Sequence, residues 1–145
     1  MKNWRLGVIL IVARGNMVLI AKKPSANEWQ LPAGGREIQE TVLETAKREA
    51  QEELGLIVDP SQMKVSFIVR EYEWSEEWKA KRGTDGQRQH IVMIALRDDQ
   101  EITVNSQELA HVRFVPKREL LDELTHQDIK ETLREMQKLG EIHLL

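Results

Sequence analysis

The segment REAQEELG, residues 48–55, is the feature that most constrains how this chain folds. It places Glu49, Glu52 and Glu53 at spacings of one, three and four residues, so a helix brings the three carboxylates together. Like charges three or four positions apart oppose helix formation by about 0.2–0.5 kcal/mol per pair. Either solvent surrounds this cluster on an exposed surface, or a cation relieves the repulsion.

Local signals define the helix that carries the segment. Thr41, followed three residues later by Glu44, forms a capping box at its start, and Gly55 provides a C-terminal stop. Counted at about 100° per residue, one stripe of about 120° is apolar and is expected to face a sheet. The stripe consists of Val42, Ala46, Ala50 and Leu54.

Two of the three carboxylates lie at the margin of that stripe. Glu49 and Glu53 fall about 20° on either side of Val42, whereas Glu52 lies about 60° further out. An exposed charged face therefore does not account well for Glu49 and Glu53, because partly buried carboxylates need a partner. Arg48 can pair with Glu52 at i+4, but one guanidinium cannot neutralise three acids. A solvated surface and a divalent-cation site both remain open from spacing alone.

The chemistry of the ligands restricts which metal such a site would take. The chain has no cysteine, so only oxygen ligands are on offer in this cluster. Hard cations suit them, namely Mg²⁺, with Mn²⁺ as a substitute. Because Mg²⁺ prefers a few carboxylates together with water and substrate phosphates, the implied substrate contains phosphate.

Composition limits the other possibilities. With 145 residues the chain is most simply one domain, residues 1–145, long enough for a hydrophobic core. Its net charge of −3 argues against a general nucleic-acid-binding surface. Absence of cysteine excludes disulfides and a cysteine nucleophile and suits a reducing cytoplasm. The apolar run Leu6–Ala13 is too short to span a membrane and reads as a core strand, not a leader. The sequence fixes no oligomeric state.

Apolar periodicity predicts an α+β chain, an α/β/α sandwich with a mixed sheet between helices. Strands are expected at Leu6–Ala13, Met17–Ala21, Lys64–Tyr72, His90–Leu96, Glu101–Val104 and His111–Val115. The stretch Lys22–Gly35 is expected to be loop. Near the C-terminus we expect a short helical piece at Lys117–Leu124 and a helix at His126–Leu139, capped by Thr125 and ended by Gly140.

The wider stretch around the acidic segment has glycines and charges at fixed spacings. It reads Gly34, five residues, Glu40, seven residues, then Arg48-Glu49-Ala50-Gln51-Glu52-Glu53-Leu54-Gly55-Leu56. This pattern resembles the Nudix box at each glycine and charged position. Ala50 stands where a larger aliphatic residue is often found. So many fixed positions over 23 residues make the resemblance specific.

The resemblance implies the Nudix fold and Mg²⁺-dependent hydrolysis of a nucleoside diphosphate linked to another group. By it, the metal ions are held by the carbonyl of Ala33 and the carboxylates of Glu49, Glu52 and Glu53. It also implies that Glu49 or Glu53 orients or deprotonates the attacking water. A further carboxylate from a later loop is implied, which Glu108 is placed to supply, with an ordinary loop acid as the alternative for this residue. Arg48 is expected to fix a carboxylate or a loop carbonyl.

Outside the box the chain is most similar to RNA pyrophosphohydrolases and dinucleoside polyphosphate hydrolases. The similarity lies in WR (4–5), AKK (21–23), WQLP (29–32) and GQRQHIVMIAL (86–96). It implies that Arg5, Lys22 and Arg88 contact phosphates, with solvated strand-end charges as the alternative. Lys23 follows Lys22 and should face the other way. Tyr72 lies 16 residues beyond Leu56, a feature associated with diadenosine polyphosphate hydrolases.

The roles expected of three tryptophans are less definite. Trp29 is expected to support the metal loop. Trp74 and Trp78 either stack on a base, as Tyr72 could, or form a short amphipathic turn packed on the core, which we favour.

Departures from the pattern keep the substrate open. LPAGG stands where PQGG is common, and its alanine resembles ADP-ribose pyrophosphatases; Gln39 occupies a position where glycine is usual. We therefore expect a substrate that is a dinucleoside polyphosphate or a 5′-triphosphorylated RNA end. Alternatives are a (deoxy)nucleoside triphosphate pyrophosphohydrolase, an ADP-ribose pyrophosphatase, a nucleotide-sensing module without turnover, or a structural or RNA-binding domain.

Overall fold

An eleven-residue apolar strand, Trp4–Arg14 (β1), lies at the centre of the sheet in the computed structural model, which describes residues 1–144. The other strands in this range are β2 Met17–Lys22, β3 Ala33–Gly35, β4 Met63–Glu73, β5 Gly86–Ala95 and β6 His111–Pro116. The helices are α1 Val42–Leu54, α2 Glu76–Arg82, α3 Leu120–Glu123 and α4 Gln127–Lys138. Single 3₁₀ turns lie at Pro60–Gln62 and Lys117–Glu119.

The sheet is mixed, in the order β4-β5-β1-β2-β6, and β3 pairs with the first half of β1. Strands β1 and β5 run parallel from Trp4 opposite Gly86 to Ala13 opposite Ala95, and the other pairs are antiparallel. A parallel pair needs a long crossover connection, which here includes α1. The expected α+β class with a mixed sheet is confirmed.

Alternation along β1 separates two hydrophobic cores. Val8 and Leu10 point to the side covered by α1, which we call the α1 side. Ile9 and Ile11 point to the opposite side, covered by α3 and α4, which we call the α4 side. Every side chain on the sheet is thereby assigned to one helix layer or the other.

The short-range signals around α1 are confirmed. Thr41 caps the helix, with its hydroxyl accepting from the Glu44 N–H and the Glu44 carboxylate accepting from the Thr41 N–H. Gly55 follows the helix in the left-handed conformation, φ 64°. The strands expected at Met17–Ala21, Lys64–Tyr72 and His111–Val115 are present with slightly longer bounds.

The strand expected at Glu101–Val104 is wrong. The N–H of Thr103 donates to the Leu54 carbonyl oxygen at 2.8 Å, and the N–H of Asn105 donates to that of Glu53 at 3.0 Å. Carbonyl groups in the last turn of a helix lack helical partners, and this loop supplies them. The apolar Ile102 and Val104 still pack on the core, which explains why the segment looks like a strand in the sequence.

Three other boundaries differ from expectation. The stretch Lys22–Gly35 is not all loop, because β3 pairs with β1 and Gln30 bridges to β2. Strand β5 begins four residues earlier than His90, since its polar first residues pair with both β1 and β4. Thr125 does not cap α4; His126 precedes this helix, and the Thr125 N–H donates to the Trp29 carbonyl oxygen. Within residues 1–144 no helix is long and apolar enough to cross a membrane.

Replacing Thr41 by alanine is expected to lower the free energy of unfolding by about 1 kcal/mol, because the first turn of α1 loses its cap. Chemical denaturation measures this loss. The matched control is Ser75→Ala, which removes the cap of α2, a helix with no buried residue. An equal or larger loss in the control would show that capping of α1 does not stabilise the core.

Candidate active site

Helix α1 presents its carboxylates where it turns into the protein. Glu49 is 7% exposed and Glu53 is 5% exposed, whereas the Glu52 side chain is half exposed. This agrees with the helical phase expected from the sequence. Two ionisable groups therefore lie in a dry environment beside the sheet, where an unbalanced charge is costly.

Glu49 packs directly on the short strand β3. A Cβ atom added to Gly34 would lie 2.0 Å from the carboxyl carbon of Glu49, so only glycine allows this approach. In the β1–β3 pairing, the Leu10 N–H donates to the Pro32 carbonyl oxygen, and the Arg36 N–H donates to the Leu6 carbonyl oxygen. The carbonyls of the alternate residues of β3 therefore turn away from β1.

Ala33 and Gly35 are the residues turned outward. The Gly35 carbonyl oxygen accepts from Arg48 Nη2 of α1 at 2.7 Å. Because residues two apart in a strand point their carbonyls to the same edge, the Ala33 carbonyl also points toward α1. The carbonyl expected to act as a metal ligand thus lies on the same side as the carboxylates.

Arg48 organises the surroundings of the carboxylates. Its Nε and Nη2 donate to the two oxygens of Glu40 at 2.8 and 2.9 Å, and its Nη1 donates to Glu49 at 2.9 Å and to Glu52 at 3.2 Å. These bonds lower the pKa of Glu40 to about 2. The guanidinium thus fixes both a carboxylate and a loop carbonyl, which is the role predicted for Arg48.

The turn before α1 holds one unusual backbone conformation. Gln39 has φ 69°, in the left-handed region that favours glycine. Gln39 therefore adopts the left-handed backbone conformation that the glycine usual at this position would adopt easily. The turn directs Glu40 to the guanidinium of Arg48.

Glu53 has the most perturbed environment of the cluster. Burial raises its pKa to about 8, and the charges of Glu49 and Glu108 add to the effect, while Lys23 opposes it. The pKa of Glu49 is also raised, chiefly by burial. Within residues 1–144 the buried Oε2 of Glu53 has no hydrogen-bond partner. The charge of Glu108 therefore acts on both carboxylates, and its role as the further loop carboxylate stays a prediction.

These residues suit a hard divalent cation. The donor set is oxygen only, and a buried carboxylate oxygen without a partner is a group that a cation would satisfy. Among residues 1–144 no three acidic or imidazole side chains are already gathered around a common point, and Arg48 Nη1 lies between Glu49 and Glu52. The assignment of Ala33, Glu49, Glu52 and Glu53 as metal ligands stays a prediction.

The predicted phosphate contacts divide between the two sides of the sheet. Arg5 lies opposite Gln87, which also lies opposite Tyr72, so Arg5 and Tyr72 share the α4 side. Arg5 borders β3, since a Cβ on Gly35 would lie 3.2 Å from its Nη2. Arg88 is on the α1 side, where its Nε donates to Glu71 at 2.6 Å.

The two lysines at the end of β2 also separate. The Nζ of Lys22 lies 4.6 Å from the ring centre of Trp29, on the α4 side. Lys23 follows it and faces the α1 side, where its charge acts on Glu53. The alternation was expected, but the sequence gives no sign that Lys23 is the lysine beside the carboxylates. Phosphate binding by Arg5, Lys22 and Arg88 stays a prediction.

A cavity of about 340 Å³ opens on the α4 side next to β3. Its lining residues include aromatic, apolar and polar side chains: Ile9, Trp29, Gln30, Leu31, Ala33, Arg70, Tyr72, Gln89, His126, Asp128 and Ile129. Ala33 is common to this cavity and to the loop beside the carboxylates. Sequence reasoning did not predict that Arg70, Gln89 and Asp128 line a cavity. The alternation of Gln87 and Gln89 along a strand was the signal that could have indicated it.

Trp74 and Trp78 have different surroundings. Trp74 meets the ring of Tyr72 edge to face at 5.2 Å between ring centres. Trp78 lies on α2, none of whose residues is buried, and it is close to half exposed. The expectation that a Trp74–Trp78 turn packs on the core is wrong for Trp78, whose ring lies against Lys81 and Arg82 of its own helix.

A family model of the NUDIX domain matches residues 1–136, and the chain therefore belongs to the Nudix family. Among curated proteins, an RNA pyrophosphohydrolase from Halorhodospira halophila is 34% identical over 110 residues, which cover 71% of this chain and 60% of that protein. This chain thus spans less than two thirds of the length of that relative.

Solved structures support the same fold. The E. coli dihydroneopterin triphosphate pyrophosphohydrolase has a TM-score of 0.72 and 16% identity, over 92% of this chain and 97% of that chain. A C. elegans Ap4A hydrolase has a TM-score of 0.71 and 15% identity, over 93% and 96% of the two chains. At these identities the likeness concerns the fold alone.

Glu53→Gln is expected to stabilise the protein at alkaline pH in the absence of divalent cations. The pKa of Glu53 is raised from 4.5 to about 8, so its contribution to stability is full below pH 4.5 and is lost as the pH rises through 8. The variant should therefore exceed the parent by about 1–4 kcal/mol in unfolding free energy at pH 8.5 and equal it at pH 4. Urea denaturation with a chelator present measures both values.

The control is Glu135→Gln on the exposed part of α4, which should show no such pH dependence. A parent and Glu53→Gln variant with parallel stability profiles would contradict the buried, uncompensated carboxylate.

Proposed function

We propose that this chain is a Mg²⁺-dependent pyrophosphohydrolase that cleaves a phosphoanhydride bond in a dinucleoside polyphosphate or at a 5′-triphosphorylated RNA end. The observation that carries the proposal is the pair of buried carboxylates Glu49 and Glu53, of which Glu49 packs against Gly34 and Glu53 has one oxygen without a partner. A sensing module without turnover has no need of such a pair, whose mutual repulsion and burial are costly.

The residues that would hold Mg²⁺, or Mn²⁺ in its place, are Ala33 through its carbonyl and Glu49, Glu52 and Glu53 through their carboxylates. When bound, the ion neutralises phosphate oxygens and lowers the pKa of a bound water. Gly34 lets the Glu49 carboxylate approach the strand that carries the Ala33 carbonyl.

Carboxylates of the chain itself accept the proton of the attacking water. Water adds to one phosphorus, its proton passes to Glu53 or Glu49, and the bridging oxygen leaves with the departing phosphate. Burial raises the pKa of Glu53 in the metal-free protein, and a bound divalent cation would favour the ionised carboxylate that accepts this proton. Glu108 is close enough to influence both groups and is a second candidate for holding the water.

The nucleoside end of the substrate is proposed to enter the cavity on the α4 side. Ala33 connects that cavity to the carboxylates, so a phosphate chain can extend from one to the other. Trp29 and Tyr72 provide aromatic surface for a base, and Arg5 lies beside Gly35, where the phosphates would pass. The names of the relatives, RNA pyrophosphohydrolase and Ap4A hydrolase, agree with these two substrate classes.

A substrate panel tests the proposal. Purified protein with Mg²⁺ is expected to release nucleotide and phosphate products from diadenosine tetraphosphate or triphosphorylated RNA faster than from deoxynucleoside triphosphates or ADP-ribose. Glu53→Gln should lose at least about 100-fold in kcat, the scale of a proton-transfer contribution, while remaining folded. Glu135→Gln is the control and should retain activity. Fast turnover of ADP-ribose alone would instead support the ADP-ribose pyrophosphatase alternative.

The adjacent lysines provide a matched pair for a second test. Lys23→Met is expected to lower kcat/KM by about tenfold or more, because Lys23 lies on the α1 side with the carboxylates. Lys22→Met should have a smaller effect, since Lys22 lies over Trp29 on the other side. Steady-state kinetics on the best substrate measures both. A larger loss for Lys22→Met would mean that the phosphates run along the α4 side of β2.

A further inference from the structure

A second cavity of about 340 Å³ opens on the α4 side, at the end of β1 away from β3. Its floor consists of Ile11 and Ala13 of β1 and Met93 and Ala95 of β5, which are neighbouring strands in the middle of the sheet. Ala13 lies opposite Ala95, so two small side chains leave a recess that larger ones would fill. The helix layer therefore leaves the centre of the sheet uncovered at this end.

The floor of the second cavity is apolar and only partly shielded from solvent. Ile11 is buried, whereas Met93 and Ala13 are partly buried and Ala95 is exposed. Ile142, from the segment that follows α4, adds a buried apolar side chain to the lining. An apolar cavity of about 150 Å³ holds a benzene molecule. The second cavity therefore has room for a larger apolar group, and its volume is in the range of ligand sites.

Cationic side chains lie around this apolar floor. Lys64 is opposite Met93 in the β4–β5 pairing, so it extends on the same side of the sheet, and Lys117 follows directly after β6. Among the ion pairs formed within residues 1–144, none involves Lys64 or Lys117. The exposed imidazole of His143 also belongs to the lining. Two ammonium groups are thus available to an anionic ligand.

Glu141 is the acidic residue that lines the second cavity, and β4 already holds its carboxylate. Its Oε1 accepts from the Ser66 hydroxyl at 2.7 Å, and its Oε2 accepts from the Phe67 N–H at 2.9 Å. Both oxygens are therefore directed to the backbone and hydroxyl donors of the strand and not to the lysines. With two lysines and one glutamate, the lining keeps a positive balance of charge.

We propose that the second cavity binds a small carboxylate with an apolar chain, whose chain lies over Ala13 and Ala95 and whose carboxylate pairs with Lys64 or Lys117. An apolar recess beside unpaired cations matches the two ends of such a molecule, whereas an amine of the same length would be repelled. The site lies on the other side of the sheet from Glu49, so this inference does not depend on the proposed function.

Titration calorimetry with sodium octanoate tests the inference without any turnover. Octanoate is expected to bind, and hexanoate should bind about 15-fold more weakly, because each methylene removed from an apolar site costs about fourfold in affinity. Octylamine, which has the same chain length and the opposite charge, should bind about tenfold more weakly than octanoate. In methionine-methyl NMR, octanoate should shift the signal of Met93 in the cavity floor and leave that of Met1 unchanged.

Substitutions separate the two parts of the site. Replacing both Lys64 and Lys117 by methionine keeps their apolar stems and should weaken octanoate binding about three- to tenfold, with octan-1-ol binding unchanged. Ala95→Leu fills the recess from an exposed position and should abolish binding of both compounds. Lys47→Met, on the exposed face of α1, is the matched control and should bind octanoate like the parent. Thermal melting checks that each variant is folded.

Several results would overturn the proposal. They are an absence of octanoate binding, equal affinities for octanoate and octylamine, or octanoate binding that survives both the lysine replacements and Ala95→Leu. Sedimentation velocity of the protein without octanoate tests the other occupant of an apolar recess. A dimer that Ala95→Leu dissociates would show that a second copy of the chain fills the recess, and it would likewise overturn the carboxylate site.

Discussion

The burial of two carboxylates on one helix, one of them packed against a glycine, is the constraint on which the rest of this structure depends. Glu49 and Glu53 lie on the sheet-facing margin of α1, close enough for the charge of Glu49 to raise the pKa of Glu53. The approach of Glu49 to the sheet requires the missing side chain of Gly34. The repulsion and desolvation of this pair oppose folding and are tolerated because the core around α1 is extensive. The cluster that weakens the helix is thus the group best suited to bind a cation.

The sheet sorts the charged residues by alternation. Side chains that point to the α1 side meet the carboxylates, and Lys23 is among them. Side chains that point to the α4 side include Arg5, Tyr72 and Gln89, and the last two line the cavity. Strand β3 lies where the two sides come together, because its neighbouring residues contact α1 and the cavity in turn. A phosphate chain and a nucleoside therefore meet different chemical surfaces within a few residues of the same strand.

Short-range signals predicted α1 correctly because its cap, its apolar stripe and its terminal glycine agree. The same reasoning failed for the segment beginning at Glu101, whose apolar alternation is real but whose backbone bonds to the end of a helix far away in sequence. Likewise, alternation showed that Lys22 and Lys23 point in opposite directions, but which of them meets Glu53 depends on where the sheet places α1. Gln89 and Arg70 in the cavity lining were missed for a related reason, since they meet only through the pairing of β4 with β5.

The loop that replaces the expected strand has a consequence for how this protein can vary. Its backbone is tied to the final carbonyls of α1 through Thr103 and Asn105, and the Glu108 N–H bonds back to the Asn105 carbonyl. The position of Glu108 is therefore determined by these hydrogen bonds to the C-terminal end of α1. Insertions between Leu96 and Ile102 leave this anchor intact, whereas a single added residue between Asn105 and Glu108 shifts the acid away from its neighbours. The short arm of the loop after Asn105 is therefore the part whose length decides where this acid lies.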